Sequence, residues 1–207
     1  MPASPARAVF LDRDGTLIRD PGYLGDPAGV QLLPGVGDAL RALQQAGFHL
    51  VVVTNQSGIA RGRYTETDYQ RVRARLDELL AAEGVSLAAS YHCPFHPDGV
   101  VPAYACEHED RKPEPGMWLK AARDLQLDLA ASWSIGDGDR DVVAGKRAGT
   151  RAILVAAGRD KWPLPVKGPY DPDFVARDLR EAVIALLDAE GRPLPAHPGA
   201  PLSRDPS

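Results

Sequence analysis

The stretch Val9-Phe10-Leu11-Asp12-Arg13-Asp14-Gly15-Thr16-Leu17 decides how the chain is read. Ala8 to Leu11 is apolar without alternation and ends in a turn signal, the pattern of a short buried strand. In an open α/β sheet, ligands sit beyond the carboxyl ends of the strands, which is where Asp12 and Asp14 fall. Two carboxylates held this close are costly unless a cation neutralises them. Mg²⁺ suits them, because it takes oxygen ligands and shares them with phosphate. Taken alone, Asp-x-Asp-Gly is equally compatible with a turn that caps the next segment.

Further along the chain, strand and helix patterns alternate. Ile18 to Leu33 is a loop rich in Gly, Pro and Asp, and Val36 to Ala46 repeats Val36, Leu40 and Leu43 on one helical face, with Gly47 at its end. Phe48 to Val53 is a second buried strand running into Thr54-Asn55-Gln56-Ser57-Gly58-Ile59. Thr65 is the predicted N-cap of a helix reaching about Glu83, with Asp68 in the place usual for Glu and Val72, Leu76, Leu79 and Leu80 as the buried stripe. A short strand at Ala89 to His92 precedes a loop from Cys93 to Arg111, long enough to suggest a function of its own. Helix Pro115 to Leu125, strand Trp133 to Gly136, a helix opened by Asp137 to Asp141 and closed near Gly149, strand Arg151 to Val155 and helix Leu179 to Leu187 complete the series. This alternation predicts a doubly wound parallel sheet of the Rossmann-like α/β class. From Gly191 to Ser207, Pro, Gly and Ser dominate, so the expected domain is 7–190 and the tail is expected to be disordered.

Four predicted strand ends carry polar residues: Asp12 with Asp14, Thr54 with Asn55, the loop before Lys112, and Asp137. Singly, each has a plain structural explanation: a strand end, a solvated basic surface, or an N-capped turn. Together they converge on one crevice. Their order, Asp-x-Asp, Thr, Lys-Pro and Gly-Asp-x-x-x-Asp, resembles the four motifs of the haloacid-dehalogenase-like superfamily over roughly residues 8 to 158. The resemblance implies a Mg²⁺-dependent phosphoric monoester hydrolase. Asp12 would be the nucleophile and Asp14 the general acid and base, while Thr54 and Asn55 would hold the phosphoryl group and Lys112 would neutralise it. Mg²⁺ would sit on Asp12, the backbone carbonyl of Asp14 and Asp137, with Asp141 orienting Lys112 or metal-bound waters. The intervals between the motifs are too short for a second domain, so the expected architecture is a capless HAD-like fold with a loop insertion at about 93–111.

Within that superfamily, Phe10 to Thr16, Asp20-Pro21-Gly22-Tyr23, Val53 to Gly62 and Arg111-Lys112-Pro113-Glu114-Pro115-Gly116-Met117 resemble the D,D-heptose 1,7-bisphosphate 7-phosphatases and their histidinol-phosphate phosphatase relatives. The likeness implies a sugar bisphosphate substrate lined by Asp20, Pro21, Gly22, Tyr23, Asn55, Gln56, Ser57 and Arg111, with Arg111 taking the phosphate that is not transferred. Histidinol phosphate, a broad set of small phosphomonoesters and, from another class, a non-catalytic phospholigand-binding module are the alternatives. The family commonly holds zinc in its loop through Cys-x-His and Cys-x-Cys. Here Phe95 stands where the histidine belongs and His108 where the last cysteine does. Cys93, His96, Cys106 and His108 remain a permissible structural Zn²⁺ set in kind, and a metal-free loop held by packing is the alternative. Arg61 is either a further phosphate contact or a surface charge.

Composition is consistent with this reading. Of 207 residues, 44% are hydrophobic and 25% charged, which is ordinary for a soluble domain. The net charge of -4 argues against general nucleic-acid binding but leaves a small anionic substrate open. The sequence has no membrane-length apolar run and no signal-peptide pattern at Met1 to Arg7, and it has only two cysteines. A cytoplasmic protein, expected to be a monomer, follows.

Overall fold

The computed structural model describes residues 6–156 and 169–192. Six parallel strands form one sheet: β1 (Ala8–Leu11), β2 (His49–Asn55), β3 (Ala89–Cys93), β4 (Trp133–Gly136), β5 (Arg151–Val155) and β6 (Phe174–Ala176). Helices α1 (Val36–Gln45), α2 (Glu66–Ala82), α3 (Gly116–Leu125), α4 (Asp139–Ala148) and α5 (Leu179–Ala189) connect or follow them. The predicted α/β sheet is present. Its expected tail lies outside the described residues from position 193 onward.

The strands are apolar without alternation because both faces of the sheet are covered. Val9, Leu11, Leu50 and Val52 point to one side, where they pack with Leu40 and Leu43 of α1, Val72 and Leu76 of α2, and Val183 and Leu187 of α5. Ala8, Phe10, Val51 and Val53 point to the other side, against Met117 and Trp118 of α3 and Ala144 and Ala148 of α4. The α2 N-terminus follows its sequence signal: Asp68 N–H donates to Thr65 Oγ1 at 3.2 Å, and Thr65 N–H donates back to Asp68 Oδ2 at 2.8 Å. Gly47 and Gly149, just past the ends of α1 and α4, have φ of 82° and 95°, the left-handed region where glycine ends a helix without strain.

Two details depart from expectation. Strand β2 runs through Thr54 and Asn55, so these polar residues are the last positions of the ladder, paired with His92 and Cys93 of β3. Residues Phe174–Ala176, which the predicted series of strands and helices does not include, form an edge strand on β5. That strand is only three residues long, and Asp173 anchors it by accepting the Ala152 N–H at 2.7 Å and pairing with Lys146 at 2.6 Å.

The strand order is β3-β2-β1-β4-β5-β6. Chain order reverses between β1 and β4, so the connections leaving those strands part to opposite faces and open a crevice beyond their carboxyl ends. Asp12 follows β1 and Asp137 follows β4, and Asp12 N–H is pinned to Ile135 O at 3.0 Å.

Beneath this crevice, α3 and α4 are joined to the sheet by a buried polar chain. Trp118 Nε1–H donates to Ser134 Oγ at 2.8 Å, and Ser134 Oγ lies 2.7 Å from Thr150 Oγ1. Gly145 makes this possible, since a Cβ there would lie 2.4 Å from Ser134 Oγ. Ser134→Ala strands the indole N–H in a water-free site. It is expected to lower unfolding free energy by about 1–3 kcal/mol, read from urea denaturation; an unchanged midpoint and slope would show the chain to be dispensable.

Candidate active site

The crevice is walled by Asp12, Asp14, Thr54, Asn55, Lys112, Asp137 and Asp141, with Asp20, Gly22, Gly138 and Arg140 toward its mouth. No wall residue carries an apolar side chain of any size, so the ligand it suits is polar. The enclosed volume, about 190 Å³, is below the roughly 300 Å³ of a pocket that swallows a drug-sized molecule. A phosphoryl group fits inside, and a larger ligand extends past the rim.

At the base lies a buried ionic cluster. Lys112 Nζ is 2.7 Å from Asp12 Oδ1 and 2.5 Å from Asp141 Oδ1, and it also donates to Val53 O at 3.0 Å. Burial opposes the charge on Lys112, but Asp12 and Asp141 outweigh it and raise the pKa to about 12. Burial pushes the Asp141 carboxyl up despite the pull of Lys112. Lys112 reaches this position because Asn55 clamps its backbone from both sides: Lys112 N–H donates to Asn55 Oδ1 at 3.0 Å, and Asn55 Nδ2 donates to Lys112 O at 3.1 Å. The Asn55 side chain, expected on the phosphoryl group, lines the crevice while its Oδ1 and one of its two amide N–H groups hold Lys112.

Asp12, Asp137 and Asp141 bring carboxylate oxygens within 4.8 Å of one another. Three carboxylates against the single ammonium of Lys112 leave a negative excess, and the donors are hard oxygens, so the residues fit Mg²⁺. The backbone is shaped for the cluster. A Cβ at Gly15 would lie 2.4 Å from Asp137 Oδ2, and one at Gly136 would lie 2.4 Å from Asp141 Cβ. Asp141 also caps α4, accepting the Gly138 N–H at 3.1 Å. Glycines in Gly136-Asp137-Gly138-Asp139-Arg140-Asp141 thus let two acids approach closely.

Asp14 is held from the side. Arg13 donates to Asp14 Oδ2 from Nε at 3.1 Å and to Oδ1 from Nη2 at 3.0 Å, and Gln56 Nε2 donates to Oδ2 at 2.9 Å. Burial raises the Asp14 pKa above the ordinary carboxylate value; Arg13 opposes the shift and the charge of Asp12 adds to it. Gln56, expected to line the substrate, is 2% exposed and lies behind the wall, its amide also donating to Thr54 Oγ1 at 2.8 Å. Thr54 is the acceptor in that bond, so its own O–H is not spent on Gln56 and can donate into the cleft.

Of the remaining predicted contacts, Asp20 and Gly22 do reach the mouth, in a turn closed by Gly22 N–H donating to Asp20 Oδ1 at 2.8 Å. Pro21, Tyr23, Ser57 and Arg111 are not among the walls. Tyr23 is exposed with Arg63 over its ring, and Arg111 Nη1 turns to Phe95 O at 3.3 Å. Arg140, given no role in the sequence reading, is a wall residue. Nothing in a lone arginine on the first turn of a helix distinguishes it beforehand from a surface charge.

The tetrahedral set expected from Cys93, His96, Cys106 and His108 is not assembled. Among the described residues, no three of the four bring ligand atoms within 4.8 Å of one another. The shifted histidine is the reason. His96 Nδ1 accepts the Asp98 N–H at 3.0 Å and Nε2 lies 3.0 Å from Arg61 Nη2, while His108 Nδ1 accepts the Asp110 N–H at 3.0 Å. Cys93 is buried and Cys106 exposed. The loop is stapled by packing instead: Phe95 stacks on His108 with centroids 4.1 Å apart and tilts against Tyr104 at 5.6 Å. Arg61 serves this loop and not the cleft.

Family comparison agrees with the geometry. The haloacid dehalogenase-like hydrolase model matches residues 9–86, and a second HAD-hydrolase-like model matches residues 110–182. The D-glycero-β-D-manno-heptose-1,7-bisphosphate 7-phosphatase of Yersinia pestis is 44% identical over 181 residues, covering 86% of this chain and 94% of the relative. A HAD-like phosphatase from Mesorhizobium loti superposes with a TM-score of 0.79 at 38% identity, over 91% of this chain and 89% of that one. The D,D-heptose 1,7-bisphosphate phosphatase of B. bronchiseptica, solved with magnesium and phosphate, gives 0.77 at 31% identity over 88% and 99%.

The packing account of the loop is open to a direct check. Protein purified without chelators is expected to hold far less than one zinc per chain by elemental analysis. Cys106→Ser is expected to leave the melting temperature within about 2 °C of wild type, less than 1 kcal/mol in a domain of this size. Stoichiometric zinc would overturn the aromatic staple.

Proposed function

This chain belongs to the haloacid-dehalogenase-like phosphatases, and from that premise we propose that it hydrolyses the 7-phosphate of D-glycero-D-manno-heptose 1,7-bisphosphate through an aspartyl-phosphate on Asp12. The observation that carries the reading is the buried Asp12–Lys112–Asp141 cluster, with Lys112 Nζ 2.7 Å from Asp12 Oδ1, at the switch point of the sheet beside Asp14. A nucleophile and an acid two residues apart at one strand end are of no use to a protein that only binds phosphate.

In the first half-reaction, the Asp12 carboxylate attacks phosphorus while Asp14 gives its proton to the departing sugar oxygen. The P–O bond to the sugar breaks as the P–O bond to Asp12 forms. In the second, Asp14, now ionised, takes a proton from water, and the resulting hydroxide displaces Asp12 and releases inorganic phosphate. The raised pKa of Asp14 favours the proton it needs for the first half. The Thr54 hydroxyl donates to an equatorial phosphoryl oxygen, and Lys112, paired with Asp12, offsets charge on the phosphoryl group. Asp12, Asp137 and the Asp14 backbone carbonyl would hold Mg²⁺, which would supply the electrophilic charge that lets an anionic nucleophile meet an anionic ester.

The enclosed cleft suits the transferred phosphate. The rest of the sugar then lies over Asp20 and Gly22, and the 1-phosphate extends toward the basic mouth. Arg140 is on that wall, and the half-buried Arg111 lies close enough to feel its charge. Two cations set near each other favour an anion between them. Both cysteines are thiols, in keeping with a reducing cytoplasm. No helix among the described residues is long and apolar enough to cross a membrane.

Asp12→Asn is expected to abolish turnover of heptose bisphosphate with saturating Mg²⁺ while circular dichroism stays native. Measurable steady-state activity would remove Asp12 as nucleophile. Arg111→Ala and Arg140→Ala are each expected to raise KM for the bisphosphate about ten-fold, the effect of one charge-assisted contact. Their effect on an aryl monophosphate should be small. Equal losses on both substrates would take these arginines out of bisphosphate recognition, and preferred turnover of histidinol phosphate would replace the proposed substrate.

A further inference from the structure

Outside every motif that identifies the site stands Tyr64, the residue before the α2 N-cap. Its hydroxyl donates to Gln56 Oε1 at 2.6 Å. Arg13 Nη2 donates to the same oxygen at 3.0 Å, and the amide nitrogen at the other end donates to Asp14 Oδ2 at 2.9 Å and to Thr54 Oγ1 at 2.8 Å. We propose that Tyr64 is a positioning residue for the phosphoryl-transfer site: its hydroxyl fixes which way the Gln56 amide faces, and the amide holds Asp14 and Thr54 in register with each other.

A glutamine amide has nearly the same shape in its two orientations, so its neighbours decide between them. Rotated by half a turn, Gln56 would set Oε1 against the Asp14 carboxylate and its N–H groups against two donors. With Gln56 at 2% exposure, water has no access to repair that mismatch, and each unpaired group would carry its full desolvation cost. Arg13 shares in setting the choice, with one Nη2 N–H on Asp14 Oδ1 and the same nitrogen donating to Gln56 Oε1 at the longer distance of 3.0 Å. Among the described residues, the Tyr64 hydroxyl donates to this oxygen alone, and at the shorter distance of 2.6 Å. Burial pushes its phenol pKa up, so the proton it donates is retained across the working range.

The ring is seated for this task. A Cβ at Gly58 would lie 2.2 Å from Tyr64 Cε1, and one at Gly25 would lie 2.5 Å from Tyr64 Cβ. Two glycines, one on each loop flanking the cleft, leave the space that the tyrosine fills. The capping box of Thr65 and Asp68 fixes the backbone one residue on. The arrangement therefore ties α2, both loops and the acid–base residue together through one phenol.

The proposal rests on the phosphatase reading, and its test separates the two. Tyr64→Phe keeps the ring and removes only the hydroxyl; Gln56→Leu removes the amide. With heptose bisphosphate and saturating Mg²⁺, Tyr64→Phe is expected to lower kcat about ten-fold with KM within about two-fold of wild type, the signature of lost alignment without lost binding. Gln56→Leu should lower kcat further, and Tyr64→Phe added to Gln56→Leu should change nothing more, because its effect passes through the amide. The melting temperature of the single Phe variant should fall by no more than about 4 °C, the loss of one hydrogen bond, since Arg13 still donates to Gln56 Oε1. Should wild type prove inactive on every phosphomonoester, the reading and the proposal fall together. An active wild type with an unchanged Tyr64→Phe kcat, a rise in KM alone, or losses that multiply in the double variant would each overturn the proposal and leave the reading standing.

Discussion

One buried ammonium organises the carboxyl edge of this sheet. Lys112 touches Asp12 from the end of β1 and Asp141 from the first turn of α4, and its backbone is clamped by Asn55 at the end of β2. Isolated charges in such a place are prohibitively costly, and a pair lacking a partner is nearly as bad. Three chain segments must therefore arrive together for any one of them to be tolerable. The glycines around the cluster follow from this, since Gly15 and Gly136 are where a side chain would collide with Asp137 and Asp141.

Around that ionic base, negative excess from Asp12, Asp137 and Asp141 is what a divalent cation neutralises. The acid–base residue is placed by the Arg13 guanidinium, forked onto both its oxygens, and by the Gln56 amide, whose other end meets the Tyr64 phenol behind the wall. The amide and the phenol help orient Asp14 while adding no further ion to the cluster. The Asp20 turn, on the loop after β1, and Arg140, on the first turn of α4, both line the crevice.

Much of this was legible before folding. The apolar runs of β1, β2 and β4 had to be two-sided strands, and the Thr65–Asp68 cap stood where the sequence pattern put it. Asp12, Asp14, Thr54, Lys112, Asp137 and Asp141 could be assigned to one crevice because strand ends in a parallel sheet share an edge. Strand β6 was not legible: three residues with Val175 half exposed carry too little pattern, and its place depends on Asp173 reaching Ala152. The loop at 93–111 misled for a related reason. Two Cys and two His are suitable ligands in kind, yet whether they meet depends on where Phe95 inserts its ring.

The sequence by itself determined the fold class, the acidic strand ends and the chemistry they can perform, because these depend on local apolar patterning and on residue type. Only the tertiary structure decided which polar side chains face the cleft and which hold others in place. Gln56 and Asn55 are adjacent to Thr54 in the same motif, yet one turns behind the wall to Asp14 and the other across to Lys112. Arg140 and Tyr64 gained their positions from contacts remote in sequence. The physical reason is that a buried polar group must find its partner, and the identity of that partner is fixed by packing between segments that share no sequence neighbourhood.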